Sequence, residues 1–130
     1  MKLMIVDDHA GVRNLIRQLV SDPADLVCEC SSGDEAVRRS DAFQPDCVTI
    51  DIRMPGIGGI ETVRAIRRAR PQARIFVVTT YDQIDLRHAA DNAGATGYVV
   101  KENLGELRAL VQHRPDRTEN EAGQADQEGS

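Results

Sequence analysis

Five short apolar runs, at residues 2–7, 25–31, 47–51, 74–78 and 97–100, are each followed by a stretch with helical spacing. That strict alternation constrains the chain more than any single motif. Apolar strands separated by helices imply a parallel sheet covered by helices on both faces. Right-handed crossovers then bring the C-terminal end of every strand to one edge. The first helix carries Val12, Leu15, Ile16, Leu19 and Val20 on one side, with Arg13, Asn14, Arg17 and Gln18 on the other, and stops at Ser21-Asp22-Pro23. Ser32-Gly33-Asp34-Glu35 is a capping box that opens a second helix running to about Ser40. Gly56, Gly58 and Gly59 loosen the loop before the third helix. That helix has Ile60, Val63, Ile66 and Ala69 on one face and Arg64, Arg67, Arg68 and Arg70 on the other, and Pro71 ends it. Asp82 is the expected cap of the fourth helix, residues 84–93, whose best apolar face is only Leu86, Ala89, Ala90 and Ala93. Asn103 opens a last helix with Leu107, Leu110 and Val111.

The common edge therefore receives Asp7 and Asp8 from the first strand, Asp51 from the third, Thr79 from the fourth and Lys101 from the fifth. Ligands bind at this edge in open α/β sheets. Crowded carboxylates repel, so at least one pKa must rise unless a cation compensates. Lys101 is one such cation. A hard divalent ion is another, and Mg²⁺ suits a few carboxylates and several waters. A carboxylate held beside Mg²⁺ and Lys101 can attack phosphorus. A purely structural Asp–Lys cluster is the plainer reading. There is no glycine-rich phosphate loop of the Walker type, which argues against ATP as the direct donor.

Other function classes are weakly supported. The 130 residues suffice for one domain, and 41% are hydrophobic and 28% charged, an ordinary globular balance. No apolar run approaches the ~20 residues of a membrane helix, and the N-terminal run is too short for a signal peptide. The expected compartment is the cytoplasm. A formal charge of −5 and arginines without interleaved aromatics point away from direct nucleic-acid binding, so the arginine face of the third helix reads as solvated. Cys28, Cys30 and Cys47 read as small buried hydrophobes, Cys28 and Cys30 on one strand face; a metal or disulfide role lacks a fourth ligand at plausible spacing.

Asp7-Asp8, Asp51-Ile52-Arg53-Met54-Pro55-Gly56, Thr79, and Gly94-Ala95-Thr96-Gly97-Tyr98 leading to Lys101 together resemble the receiver domain of two-component response regulators. The likeness is greatest to receivers joined to helix-turn-helix output domains. The resemblance implies a flavodoxin-like (βα)5 fold with strand order 2-1-3-4-5. It implies a receiver at residues 1–113, with Asp51 as phosphoacceptor and Mg²⁺ held by Asp7, Asp8, Asp51 and the backbone carbonyl of Arg53. Lys101 would contact the phosphoryl group, Thr79 would swing toward it, and Tyr98 would rotate inward behind Thr79. The surface of the fourth helix, fifth strand and fifth helix would change. The donor would be a phosphohistidine on a sensor histidine kinase or phosphotransfer protein. The output would be a downstream protein, with a second copy of the chain as a further partner. The only reactions catalysed would be phosphorylation and dephosphorylation of its own aspartate.

Three departures from the family pattern stand out. Glu102 replaces a common proline, and Thr80 and Arg53 are bulky beside the site, which predicts slow dephosphorylation. Residues 114–130 are polar, with two arginines against five acids, and read as a disordered tail too short for a DNA-binding domain. The expectation is a stand-alone receiver that acts on other proteins. The alternatives are a phosphate-independent scaffold and a piece of a longer DNA-binding regulator. A haloacid-dehalogenase-type phosphatase would need an aspartate where His9 stands.

Overall fold

A computed structural model describes residues 1–54 and 56–112. Pro55 and the proposed tail at 114–130 lie outside the described residues. The elements alternate as expected: β1 (Lys2–Val6), α1 (Ala10–Val20), β2 (Leu26–Cys30), α2 (Gly33–Phe43), β3 (Cys47–Ile50), α3 (Gly59–Ala69), β4 (Arg74–Thr79), α4 (Ile84–Ala93), β5 (Gly97–Val100) and α5 (Leu104–Gln112). All pairings are parallel, in the order β2-β1-β3-β4-β5. The flavodoxin-like order is therefore as the resemblance implied. Among the described residues no helix is long and apolar enough to cross a membrane.

Strand alternation divides the core in two. Met4, Val6, Val48, Ile50, Ile75 and Val77 face α2, α3 and α4, where Ala36, Val63, Ile66, Ala90 and Ala93 meet them. Leu3, Ile5, Cys47, Phe76, Val78 and Val99 face α1 and α5, against Ile16, Val20, Leu107 and Val111. Cys28 and Cys30 are buried in the first cluster and Cys47 in the second, so all three pack as hydrophobes. The capping box forms in its main part: Ser32 Oγ accepts from Glu35 N–H at 3.1 Å, while the Glu35 carboxylate reaches back to Ser31 N–H at 2.7 Å.

Several local expectations fail for identifiable reasons. Helix α2 continues to Phe43 and ends at Gln44 in the left-handed region. Asp82 does not cap α4; the cap position is Gln83, and Asp82 Oδ1 instead accepts from Arg87 Nε at 2.7 Å. Lys101–Asn103 form a 3-10 turn that feeds α5 at Leu104, so Asn103 is not a simple cap. Leu15 and Leu110 are exposed (44% and 41%), because they stand at the edges of narrow contact stripes, and Ala69 is exposed at the end of α3. The arginine face of α3 is not wholly solvated. The Arg67 guanidinium donates to the carbonyls of Gly94 (2.9 and 2.8 Å), Pro71 (2.8 Å) and Ala73 (2.6 Å), tying α3 to the end of α4 and the start of β4. Burial lowers its pKa. Arg70 bonds Pro45 O and Gln44 Oε1.

Candidate functional site

Asp7 and Asp51 each follow the last residue of a buried strand, β1 and β3, that lie side by side with Val6 opposite Ile50. Their backbones are fixed by the sheet: Asp7 N–H donates to Cys30 O at 3.1 Å, and Asp51 N–H to Val6 O at 3.0 Å. Asp7 is 1% exposed and Asp51 6%. Lys101 enters from the end of β5, and its Nζ lies 3.0 Å from Asp7 Oδ2 and 3.2 Å from Asp51 Oδ2. Chain positions 7, 51 and 101 thus meet around one ammonium. The loop after β3 closes tightly on this edge. Gly59 N–H donates to Ile52 O at 3.0 Å, and a Cβ on Gly59 would sit 2.4 Å from the Asp51 carbonyl oxygen. Only glycine fits that approach of α3 to β3.

The electrostatics follow from the burial. Desolvation pushes the Asp51 carboxyl above its ordinary value and nearby Asp7 adds to the rise; the Lys101 ammonium and the Arg53 N–H, which donates to Oδ1 at 3.2 Å, offset only part. Burial also works against the Lys101 ammonium, but the two carboxylates together outweigh it and its pKa rises. Asp7 Oδ1 accepts from His9 N–H at 2.9 Å. Asp7 Oδ2 is buried and meets the Lys101 ammonium at 3.0 Å.

The other expected residues are nearby in different ways. The His9 ring Nδ1 lies 3.1 Å from Asp8 Oδ1 and 3.5 Å from Asp7 Oδ1. Ligand atoms of Asp7, Asp8 and His9 lie within 4.8 Å of one another. Asp51 is not part of that group of three; it joins Asp7 through Lys101. The hard acid oxygens fit Mg²⁺, as expected of such a pocket. Thr79 is fully buried, two residues beyond Val77, the register partner of Ile50. Its Oγ1 accepts from Tyr81 N–H at 3.3 Å. Tyr98 is half-buried, and its hydroxyl donates to Tyr81 O at 2.5 Å. Burial raises its pKa, the Arg87 guanidinium 4.7 Å over its ring opposes that, and Asp82 adds to the rise.

Sequence reasoning missed four participants. His9 was legible, because it directly follows the acid pair. Tyr81 gave no signal; the Arg53 guanidinium lies 4.3 Å from its ring centroid. Arg13 and Glu29 were missed because Arg13 was assigned to the solvent side of α1. Yet Arg13, Ile16 and Val20 are spaced i, i+3, i+7, which puts Arg13 on the flank of the buried stripe.

The family model described as the response regulator receiver domain matches residues 3–112. The chain is 35% identical over 102 residues to the response regulator GacA of Pseudomonas syringae pv. syringae (strain B728a), covering 77% of this chain and 48% of GacA. It therefore spans about half the length of that relative. It is also 35% identical over 102 residues to the chemotaxis protein CheY of Listeria monocytogenes serovar 1/2a (strain ATCC BAA-679 / EGD-e), covering 78% of this chain and 86% of CheY. Among solved structures, a LuxR-family two-component response regulator from Aurantimonas sp. SI85-9A1 matches with a TM-score of 0.78 and 37% identity, covering 85% of this chain and 81% of that one. Sequence and fold agree over the same span: this chain belongs to the family of response regulator receiver domains.

Proposed function

We propose that this chain is a phosphorylation-driven signalling switch that accepts a phosphoryl group on Asp51 from a phosphohistidine. The observation that carries this reading is the Lys101 ammonium, 3.0 Å from the Asp7 carboxylate and 3.2 Å from that of Asp51. Such an ammonium is available to a phosphoryl oxygen once Asp51 carries an acyl phosphate. In the forward step an Asp51 carboxylate oxygen attacks phosphorus. The bond from phosphorus to the donor imidazole breaks, and the imidazole nitrogen keeps the electron pair. The Arg53 N–H holds one Asp51 oxygen, which leaves the Oδ2 side toward Lys101 as the reacting side. Turnover ends in a separate hydrolysis: water attacks phosphorus, the bond from phosphorus to the Asp51 oxygen breaks, and inorganic phosphate and the Asp51 carboxylate are released.

Asp7, Asp8, Asp51 and the Arg53 carbonyl would hold Mg²⁺. Two buried carboxylates, Asp7 and Asp51, share the single Lys101 ammonium, and the uncompensated negative charge supports that reading. When bound, the ion would neutralise charge on the transferring phosphoryl group. Phosphorylation biases a two-state element only by interacting differently with its two states. Thr79 and Tyr98 are the proposed switch residues, and the surface of α4, β5 and α5 the proposed readout. The kinase or phosphotransfer protein, the downstream protein and a homodimeric state are the proposed partners, in the cytoplasm. Incubation with acetyl phosphate, with and without Mg²⁺, followed by intact-mass analysis tests the chemistry. One added phosphoryl group is expected with Mg²⁺ and none in Asp51→Asn; labelling that persists in that variant overturns the assignment.

A further inference from the structure

The main chain of Asp7 is held by residues that the phosphoryl chemistry does not use. Arg13 of α1 donates from Nη1 to the Asp7 carbonyl at 2.7 Å and from Nε to Glu29 Oε1 at 3.1 Å. Glu29 lies on β2, where Arg17 Nη1 donates to its other oxygen at 3.1 Å and Arg39 Nη1 donates to its carbonyl at 3.2 Å. Strand β2 therefore grips Asp7 twice: directly, through Cys30 O and the Asp7 N–H, and indirectly, through Glu29 and Arg13. The Asp7 carbonyl and the Asp8 N–H belong to one planar peptide. A donor fixed on that oxygen sets the direction in which the chain leaves β1, and with it the place from which the Asp8 side chain starts.

We propose that Arg13, oriented by Glu29, is a positioning residue for the Asp7–Asp8 acid pair and sets its affinity for the divalent ion. This rests on the reading of Asp7 and Asp8 as ion ligands. Arg13 touches neither the ion nor the phosphoryl group; it acts through the Asp7 peptide. Its charge is paired with Glu29, so its role is not long-range repulsion of a cation. Loss of a group that holds a metal ligand in place costs roughly 10- to 100-fold in affinity. Because Arg13 holds the main chain and not the carboxylate, the lower end of that range is expected.

Calorimetric titration of the full chain with Mn²⁺ and with Mg²⁺, in the absence of any phosphoryl donor, tests this. Arg13→Ala and Arg13→Lys should each weaken binding by roughly tenfold, since a lysine cannot make both bonds. Glu29→Gln should weaken it less. Arg13→Ala combined with Glu29→Ala should match Arg13→Ala alone, because Glu29 acts through Arg13. In labelling by acetyl phosphate, the half-saturating Mg²⁺ should rise by the same factor while the plateau rate stays put. A merely structural role would not produce that split. Arg13→Lys keeps the charge and the apolar stem, so it carries the test if Arg13→Ala unfolds. Wild-type affinity in a folded Arg13→Lys, or a lower plateau rate with unchanged affinity, overturns the proposal. If the wild type binds Mn²⁺ but is never labelled, the phosphoryl reading fails and the calorimetry still decides the role of Arg13. If the wild type binds neither ion, the positioning role is refuted as well.

Discussion

Lys101→Met removes the cation between Asp7 and Asp51 while keeping most of the side-chain volume. Each contact, at 3.0 and 3.2 Å, is worth about 5 kcal/mol at an effective dielectric near 20. Desolvating the ammonium costs several kcal/mol in the other direction. Breaking a buried pair costs a net 3–5 kcal/mol or so. Lys101 retains 17% side-chain exposure, so the expected loss lies near the low end, about 3 kcal/mol. That lowers Tm by on the order of 10 °C and leaves a domain of this size folded. The loss should depend on pH in a fixed direction. The folded-state pKa of Asp51 is already raised, and it rises further without Lys101. The deficit is therefore full above that raised pKa and shrinks as pH falls through it, because protonation removes the uncompensated charge. The pKa of Lys101 is itself raised above the ordinary lysine value in the folded protein by its two carboxylates, so the wild type loses its contribution only as pH climbs through that raised pKa. Thermal melts of both proteins at about pH 7.5 and about pH 5, with and without Mg²⁺, read this out. Mg²⁺ should restore part of the variant's stability by occupying the acid pair. A deficit below about 1 kcal/mol at neutral pH, or one that grows on acidification, refutes the charge argument.

Arg67→Met should cost about 3 kcal/mol through the orphaned carbonyls of Gly94, Pro71 and Ala73; hydrogen exchange should accelerate first around Ala90–Gly94, and acceleration elsewhere would count against the anchor. Arg53→Ala and Thr80→Ala should each speed loss of the phosphoryl group, Arg53→Ala by roughly two- to fivefold, since its cation–π contact with Tyr81 is worth about 0.5–1 kcal/mol. Unchanged hydrolysis in a radiolabel or mass assay would refute the shielding idea. Phosphorylation should change amide exchange in the first turns of α4, and identical protection before and after would refute a role for that helix in the switch.

How much of this was legible in the chain depended on where the information resides. Asp7, Asp51 and Lys101 could be brought together from sequence because each directly follows a strand, and parallel topology sends all strand ends to one edge. Their meeting follows from strand pairing and needs no knowledge of side chains. Arg13 and Arg67 were misplaced for the opposite reason. A long guanidinium can turn back along a helix and satisfy carbonyls at a distant chain end, Gly94 for Arg67. The periodicity of α1 and α3 records which face is apolar, but not which flanking cation reaches over it. Asp82 failed as a cap because Arg87 offers its carboxylate a charged donor, a stronger bond than a neutral backbone N–H.

Helix α4 is held asymmetrically. Its C-terminal end is fixed by buried Ala90 and Ala93, by the left-handed Gly94 and by Arg67. Its N-terminal end has no side-chain cap, and Ile84 is 68% exposed. A short relay runs beside that end: Thr79 Oγ1 to the Tyr81 N–H, the Tyr81 carbonyl to the Tyr98 hydroxyl, Arg87 over the Tyr98 ring, and Asp82 on Arg87. Under the proposed reading, a Thr79 hydroxyl that rotates to a phosphoryl oxygen leaves the first of these links. Each hydrogen bond in the relay is worth about 1 kcal/mol and the ring contact about 0.5–1 kcal/mol. The whole relay therefore holds only a few kcal/mol, whereas carrying a switch from 1:99 to 99:1 takes about 5.5 kcal/mol. A charged phosphoryl group bonded to Lys101 and Thr79 can supply a difference of that order only if the relay is weak. Under that same reading, the lack of a side-chain cap on α4 among the described residues and the thin apolar face of that helix would keep the two states close enough for one covalent event to choose between them.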